Sequence, residues 1–148
     1  MSQFVIYADG SCRRNPGPGA AAVVITTADG EIVKEFVKSF PNTTNNRMEL
    51  TAVIGALKAM PACDITLVSD SQYVVKGITE WVRGWKAKGW LTSQKKSVEN
   101  QDLWMELDAL VQSYTGRITW KWVRGHAGTP GNERADELAQ EASGALCR

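Results

Sequence analysis

The alternation of apolar and polar positions divides the chain into strand-like and helix-like segments. Short apolar runs bounded by Gly, Pro, Asn and Asp are typical of strands, whereas apolar residues spaced three and four apart are typical of amphipathic helices. These patterns predict strands over residues 4–8, 21–27, 32–40, 65–69 and 117–123. They predict helices over residues 47–60, 71–79, 102–114 and 132–142.

The order of these segments predicts the fold class. The first three strands follow one another, and Asp29-Gly30 is a hairpin turn signal, so this part favours an antiparallel meander. The later strands alternate with helices, which favours parallel pairing. We therefore predict an α/β fold in which helices flank both faces of a mixed five-stranded sheet, as a single domain over residues 1–148.

The composition is that of a globular protein and argues against several other classes. Hydrophobic residues make up 43% of the chain, and no apolar run approaches the roughly 20 residues that span a bilayer. No basic segment followed by an apolar one marks a signal peptide. Cys12, Cys63 and Cys147 lack metal-ligand spacing, so we expect free thiols in a reducing cytoplasm and no zinc site.

The charge of the chain is concentrated in one stretch. The net charge is only +1, yet residues 81–96, called the basic segment below, hold five Lys and Arg and no acidic residue. Trp81, Trp85 and Trp90 interleave with these cations. Trp81 and Trp85 lie one helical turn apart, so one of them could be a core residue instead. The pattern predicts that the basic segment binds a polyanion.

Two acidic residues follow directly on predicted strands. Asp9 closes the first predicted strand and Asp70 closes the fourth. In open α/β sheets, ligand sites form outside the carboxyl ends of parallel strands. Each acid also has a structural alternative, because Asp9-Gly10 is a good turn pair and either Asp70 or Ser71 could cap a helix.

Two further acids border the apolar faces of predicted helices. Glu49 lies in the first turn of the helix predicted over residues 47–60, about 40° from the apolar stripe, where it could also simply complement the helix dipole. Asp136 lies on the flank of the apolar stripe of the last helix. Four unpaired acids at one rim would repel one another and raise each other's pKa values. Divalent cations such as Mg²⁺ or Mn²⁺, which prefer oxygen ligands, remove that repulsion.

Such a set of carboxylates points to phosphodiester chemistry. Carboxylates that hold two metal ions about 3.5–4 Å apart stabilise an in-line displacement at phosphorus. His126 is the single histidine and lies in a glycine-containing loop ten residues before Asp136. A mobile imidazole could carry a proton to or from an attacking water, and Asn132 could fix that water or hold Asp136. A surface histidine without function is the structural alternative.

Four sequence motifs contain these acids in order along the chain: DGS at Asp9, TNNRMEL at Glu49, SDSQYV at Asp70, and GH-x-G-x-x-x-N-x-x-x-D from Gly125 to Asp136. Together they resemble the motifs of bacterial ribonuclease H of type one. The resemblance spans nearly the whole chain. It implies an endonuclease that cuts the RNA strand of an RNA/DNA hybrid with two Mg²⁺ ions, Mn²⁺ being a substitute, and leaves 5′-phosphate and 3′-hydroxyl ends. Asp9, Glu49, Asp70 and Asp136 would be the catalytic metal ligands, and His126 the assisting proton carrier.

The same resemblance suggests how the substrate is bound. Five uncharged side chains match positions that meet the minor groove of the hybrid, where 2′-hydroxyls are displayed: Cys12, Asn15, Asn45, Asn46 and Gln72. Thr44 and Asn100 match positions that hold a phosphate of the DNA strand. Asn45 and Asn46 could instead be only loop and cap residues.

The basic segment resembles the substrate-binding protrusion of this family. Trp81 and Trp85 would pack on sugars or bases while Lys86 and Lys88 meet phosphates, which predicts salt-dependent binding with little sequence preference. Because this segment supplies the contacts, we expect a monomer that needs no separate hybrid-binding domain before its first strand. Other nucleases with the same fold, and a non-catalytic binding module that uses only the basic segment, are the alternatives.

Overall fold

The protein is built around a mixed sheet of five strands in the order β3-β2-β1-β4-β5. The computed structural model describes residues 3–125 and 127–145. β1 pairs antiparallel with β2 and β2 with β3, whereas β1 and β4, and β4 and β5, run parallel. The predicted fold class is therefore confirmed. The strands are β1 Phe4–Cys12, β2 Gly17–Thr27, β3 Ile32–Thr43, β4 Ile65–Ser69 and β5 Ile118–Trp122.

Helices cover both faces of this sheet because β2 is buried on both sides. Ala21, Val23 and Ile25 belong to the main core with α1, and the alternate β2 residues are also buried, on the side where α5 packs. An apolar strand of this kind needs a helix layer on each face. The helices are α1 Asn45–Ala59, α2 Gln72–Lys76, α3 Val82–Ala87, α4 Gln101–Ser113 and α5 Pro130–Ala145, with a π-helical turn at Gly77–Trp81 between α2 and α3.

A tryptophan of α4 lies at the centre of the packing between α4 and the helices that follow β4. Trp104 is fully buried, and its ring lies 5.3 Å from both the Tyr73 and the Trp85 rings. A Cβ added at Gly77 would overlap the Trp104 indole. A glycine in the π-helical turn therefore lets this turn pack directly on the indole.

Several predicted boundaries differ from the structure. β2 begins at Gly17 and not at residue 21, β3 ends at Thr43 and not at residue 40, and α5 spans Pro130–Ala145 and not residues 132–142. Two other differences have a clear physical reason. β1 does not end before Asp9 but runs to Cys12, since the ladder to β2 continues as far as the Cys12–Gly19 pair. The parallel ladder to β4 does end at the Ala8–Ser69 pair, so Asp9 is the first residue beyond it. The helix predicted to end at Thr79 continues through the π-helical turn to Ala87, because its apolar side packs against α4.

Two further observations concern the membrane and the thiols. No helix within residues 3–125 and 127–145 is long and apolar enough to cross a membrane. Cys12 and Cys63 are free thiols, as predicted, while Cys147 lies outside the described residues.

Candidate active site

Asp9 is held in the middle of the sheet and is almost inaccessible to solvent. Asp9 is only 2% exposed. The next residue explains how helix α1 can approach: a Cβ on Gly10 would lie 2.5 Å from the Glu49 nitrogen, so only glycine permits this distance. The Gly10 N–H donates to Glu49 Oε1 at 3.0 Å. The DGS motif therefore supplies the Asp9 carboxylate, and its Gly10 N–H holds the Glu49 carboxylate in place.

Glu49 reaches the sheet from the interior of α1. The hydroxyl oxygen of Thr44 caps this helix by accepting the Arg47 N–H at 3.3 Å, so the helix begins at Asn45, two residues earlier than predicted. Glu49 therefore lies beyond the first turn, and the prediction that placed it there was wrong. It is 5% exposed, so a surface interaction with the helix dipole does not explain it.

Asp70 follows β4 directly and is fixed from two sides. The cap of α2 is Ser71, whose hydroxyl accepts the Val74 N–H at 3.2 Å, so capping does not account for Asp70. The indole N–H of Trp122 donates to the main-chain oxygen of Asp70 at 3.0 Å. A Cβ on Gly125 would lie 3.0 Å from Asp70 Oδ2, which places the chain after β5 against this carboxylate.

Three of the four predicted acids form a compact cluster. Asp9, Glu49 and Asp70 each offer an oxygen, and these oxygens all lie within 4.8 Å of one another. Asp136, on α5, is half-buried and close enough for its charge to act on both Asp9 and Glu49, but it is not part of that group of three. The structure thus brings the acids of four separate motifs to one place.

The cluster is electrostatically unfavourable for bare carboxylates. Burial, and then the charges of Glu49, Asp70 and Asp136, raise the pKa of Asp9 far above its usual range. Burial and the charge of Asp70 raise the pKa of Glu49, against the hydrogen bond from Gly10. Asp9 Oδ2 and Glu49 Oε2 are buried and have no hydrogen-bond partner within the part of the chain that the structure describes. Buried carboxyl oxygens without hydrogen-bond donors fit a site for divalent cations, which would favour the ionised carboxylates.

His126 and Asn132 are the two residues predicted to assist the acids, and the structure describes only the second. His126 lies outside the described residues, so its predicted role stays a prediction. Asn132 lies on α5 one turn before Asp136 and is 1% exposed. Its amide nitrogen and oxygen both lack a partner among residues 3–125 and 127–145, which agrees with a side chain that needs a water or ligand.

Several predicted substrate contacts lie next to one another. The Asn15 side-chain oxygen accepts the Asn45 N–H at 2.9 Å, which joins the loop after β1 to the start of α1. Asn100 accepts from the Arg47 guanidinium at 3.2 Å, and Thr44 accepts from the Arg47 main chain, so these two predicted phosphate contacts share one neighbour. The other predicted groove contacts are half-buried or exposed: Cys12, Asn46 and Gln72.

The basic segment begins as helix and is anchored to α4. Trp81 is 38% exposed and is free to contact a ligand, whereas Trp85 packs against the core, as the structural alternative predicts for one of the two. The Lys86 ammonium lies 3.0 Å from a carboxylate oxygen of Asp108, a residue only 8% exposed. Lys86 therefore has a structural role in addition to any contact with substrate, while Lys88 is exposed.

Sequence reasoning missed two residues that shape this region. Trp122 holds the main chain of Asp70, and Tyr73 accepts a hydrogen bond from Asn100 at 3.2 Å. Both are aromatic residues in predicted strands or helices, where a core position is the ordinary expectation. Their polar atoms acquire a role only through tertiary neighbours.

Fold and site together define a class of α/β proteins in which a carboxylate cluster suited to divalent cations lies at the ends of two parallel strands. The RNase H family model matches residues 1–144, which is nearly the whole chain. The chain therefore belongs to the RNase H family of ribonuclease enzymes.

Relatives of known sequence and structure agree with this membership. Ribonuclease H of Polaromonas sp. strain JS666 is 57% identical over 95% of this chain and 88% of its own length. Ribonuclease H of Cupriavidus pinatubonensis is 54% identical over 99% of both chains. Among solved structures, LC9-RNase H1, a type 1 RNase H with the type 2 active-site motif, matches with a TM-score of 0.84 and 36% identity over 99% of this chain and 74% of its own. RNase H1 of Halobacterium salinarum matches with a TM-score of 0.74 and 31% identity over 96% and 98%.

Proposed function

We propose that this protein is an endonuclease that hydrolyses the RNA strand of RNA/DNA hybrids and leaves 5′-phosphate and 3′-hydroxyl ends. The observation that carries the proposal is the buried cluster of Asp9, Glu49 and Asp70 in a chain of the RNase H family. LC11-RNase H1, which has the same fold with a TM-score of 0.74 at 24% identity, was solved in complex with an RNA/DNA hybrid. That complex supports a hybrid as the substrate to test first.

The donor set fits two Mg²⁺ ions, with Mn²⁺ as a substitute. Asp9, Glu49, Asp70 and Asp136 offer only oxygens, which these hard cations prefer to thiolate or imidazole sites. The two buried oxygens without hydrogen-bond partners support this assignment. When bound, such ions activate water and neutralise charge that develops on the phosphate. The chain itself contributes positions on β1, α1 and α5 and directly after β4 that hold the four acids together.

Proton transfer is assigned to a residue of the loop before α5. His126 is proposed to take or give a proton at the attacking water or at the leaving 3′-oxygen, because a neutral imidazole can do both near neutral pH. Asn132 is proposed to hold that water, because its amide forms no hydrogen bond with Asp136 or any other described residue, which argues against the alternative that it holds the Asp136 carboxylate. The approach of Gly125 to Asp70 brings the start of this loop to the acidic cluster, which supports the assignment.

Substrate binding is divided between a groove and the basic segment. The uncharged groove residues Cys12, Asn15, Asn45, Asn46 and Gln72 are proposed to read 2′-hydroxyls and base edges, and Thr44 and Asn100 to hold a DNA phosphate. The exposed face of Trp81 and the Lys88 cation are proposed to extend this contact, with Trp85 and Lys86 supporting them. One catalytic domain acting as a cytoplasmic monomer completes the proposal.

The experiment that tests the function compares substrates. A hybrid labelled separately on its RNA and DNA strands is incubated with Mg²⁺, beside duplex DNA, duplex RNA and an EDTA control. We expect metal-dependent loss of the RNA strand of the hybrid alone, with products whose 5′ ends carry phosphate. Cleavage of duplex DNA would instead indicate another nuclease of this fold, and hybrid binding without cleavage would indicate a binding module.

A further inference from the structure

A chain of hydrogen bonds lies beside the start of α1 and includes a residue that the proposed function leaves unused. Arg47 forms two hydrogen bonds with the Asp102 carboxylate, at 3.0 and 2.8 Å, and a third with the side-chain oxygen of Asn100 at 3.2 Å. The Asn100 amide nitrogen then donates to the hydroxyl of Tyr73 at 3.2 Å. The indole N–H of Trp104 donates to the same hydroxyl at 2.9 Å.

The chemistry of the end groups fixes the direction of every bond in this chain. A guanidinium only donates, so the Asn100 atom that faces Arg47 must be the oxygen, and the amide nitrogen must face Tyr73. An indole N–H also only donates, so the Tyr73 oxygen accepts from both Asn100 and Trp104. These two bonds occupy both lone pairs of the hydroxyl. Its own proton must therefore go to another atom, and the hydroxyl donates no hydrogen bond within residues 3–125 and 127–145.

Within the described part of the chain, three polar hydrogens in this region consequently form no hydrogen bond. They are the second amide hydrogen of Asn100, the hydroxyl hydrogen of Tyr73 and the hydroxyl hydrogen of Thr44, whose oxygen already accepts the Arg47 N–H. A phosphate diester offers only acceptors, so it is suited to such donors. Arg47 is ion-paired with Asp102, so its charge is partly balanced. The three neutral donors would therefore make the main contact with a phosphate.

The network also holds Asn100 in an uncommon backbone conformation. Its φ of 59° lies in the left-handed region, and its side chain forms no capping bond to α4. Asn tolerates this region better than other residues, but the conformation still costs free energy unless neighbours support it. Arg47 and Tyr73 hold the two ends of the amide, and Trp104, which is fully buried, fixes the Tyr73 ring.

We propose that Tyr73 is a positioning residue for Asn100: its hydroxyl fixes the amide so that the free N–H of Asn100 faces a phosphate of the DNA strand. The proposal rests on the proposed function, which makes Asn100 and Thr44 the phosphate contacts. An amide oriented in advance loses little freedom when the substrate binds, so its bond contributes more to affinity.

A double-mutant cycle on hybrid binding tests this role. The dissociation constant of a short RNA/DNA hybrid is measured in EDTA, without cleavage, for wild type, Tyr73→Phe, Asn100→Ala and the double variant. We expect Tyr73→Phe to weaken binding about three- to tenfold, the factor that one hydrogen bond is worth, and to have less than about a twofold effect once Asn100 is Ala. In cleavage assays Tyr73→Phe should raise KM and leave kcat nearly unchanged.

Tyr114→Phe is the matched control. The Tyr114 hydroxyl bonds to the main-chain oxygens of Pro61 and Cys63, at 2.9 and 2.8 Å, at the opposite end of α4 from Asn100. Its loss should leave hybrid binding unchanged. If Tyr73→Phe does not fold, because it leaves the buried Trp104 N–H without an acceptor, combining it with Trp104→Phe removes donor and acceptor together.

Substrates with one uncharged phosphate locate the contact. Methylphosphonates are placed singly along the DNA strand, and hybrid binding is measured for each substrate. Where the methylphosphonate replaces the contacted phosphate, the variants should bind as well as wild type, because the contact is already lost. This position should be the same for Tyr73→Phe and Asn100→Ala. Additive penalties in the cycle, or penalties that disappear at different positions, would overturn the positioning role. Failure of the wild type to cleave any hybrid would overturn the proposed function itself, so the two failures are distinguishable.

Discussion

Replacing Asp9 by Asn is expected to stabilise the metal-free protein at neutral pH, although it removes a predicted metal ligand. Burial and the charges of Glu49 and Asp70 raise the pKa of Asp9 well above neutrality. In the unfolded chain an Asp releases its proton near pH 3.9. Above that pH the folded state keeps a proton that the unfolded state has lost, so stability falls as pH rises from about 4 through neutrality.

The size of this effect follows from proton linkage. Each pH unit over which the folded state holds one extra proton costs about 1.4 kcal/mol. Between pH 4 and pH 7 the cost from Asp9 is therefore up to about 4 kcal/mol, and its 2% exposure leaves little solvent screening. Asn has the same shape and no charge. Asp9→Asn should thus gain up to about 4 kcal/mol at pH 7 and almost nothing at pH 4.

Urea unfolding in EDTA at several pH values measures this gain. Asp29→Asn is the control, because it makes the same chemical change at an exposed hairpin turn. The hydrogen bond from the Thr27 hydroxyl lowers the pKa of Asp29, so any change of stability at pH 7 should be a small loss and not a gain. Adding Mg²⁺ should stabilise the wild type much more than Asp9→Asn, since binding to the folded state adds to its stability. Equal stability of wild type and Asp9→Asn at pH 7, or a gain that does not shrink toward pH 4, would refute the electrostatic reasoning.

Two further pairs of variants test the packing of the helices and the basic segment. Gly77→Ala should destabilise the fold by about 1–3 kcal/mol in urea unfolding, because the added methyl overlaps a buried indole. Gly84→Ala, where a methyl meets open space within a helix, should instead be neutral or stabilise by up to about 1 kcal/mol. Lys86→Ala should lower stability by about 1–2 kcal/mol, because it leaves the buried Asp108 without its counter-ion. Lys88→Ala should leave stability unchanged and raise KM in low salt, and the reverse pattern would contradict the assigned roles.

Local patterns determine much of this fold and can be read from the sequence. The bounds of β4 match the prediction because its apolar run stands between clear turn residues. The Asp29-Gly30 hairpin is confirmed by main-chain bonds that join Thr27 to Gly30 and Glu31. The alternation of helices with the later strands predicted parallel pairing, and this is confirmed for β1 with β4 and for β4 with β5. In each case the signal lies within a few neighbouring residues.

The parts that the sequence did not reveal depend on tertiary neighbours. Asp9 was placed after its strand because a polar residue ordinarily ends an apolar run, whereas β2 extends the ladder beyond it. The bonds from Trp122 to Asp70 and from Asn100 to Tyr73 join residues that are 52 and 27 positions apart. No periodicity encodes such a polar contact. Family motifs identified the acids, but only the packed structure shows which groups hold them in place.

The buried acids Asp9, Glu49 and Asp70 are proposed to be the groups that cleave the RNA strand. The most direct measurement is the single-turnover cleavage rate of an RNA-labelled hybrid at saturating Mg²⁺, with Asp9→Asn beside Asp29→Asn and each variant shown to bind the hybrid. We predict that Asp9→Asn binds but loses cleavage by at least about a hundredfold, a loss typical of removing a group that stabilises the transition state, while Asp29→Asn cleaves like wild type. Cleavage by Asp9→Asn at the wild-type rate would contradict the claim.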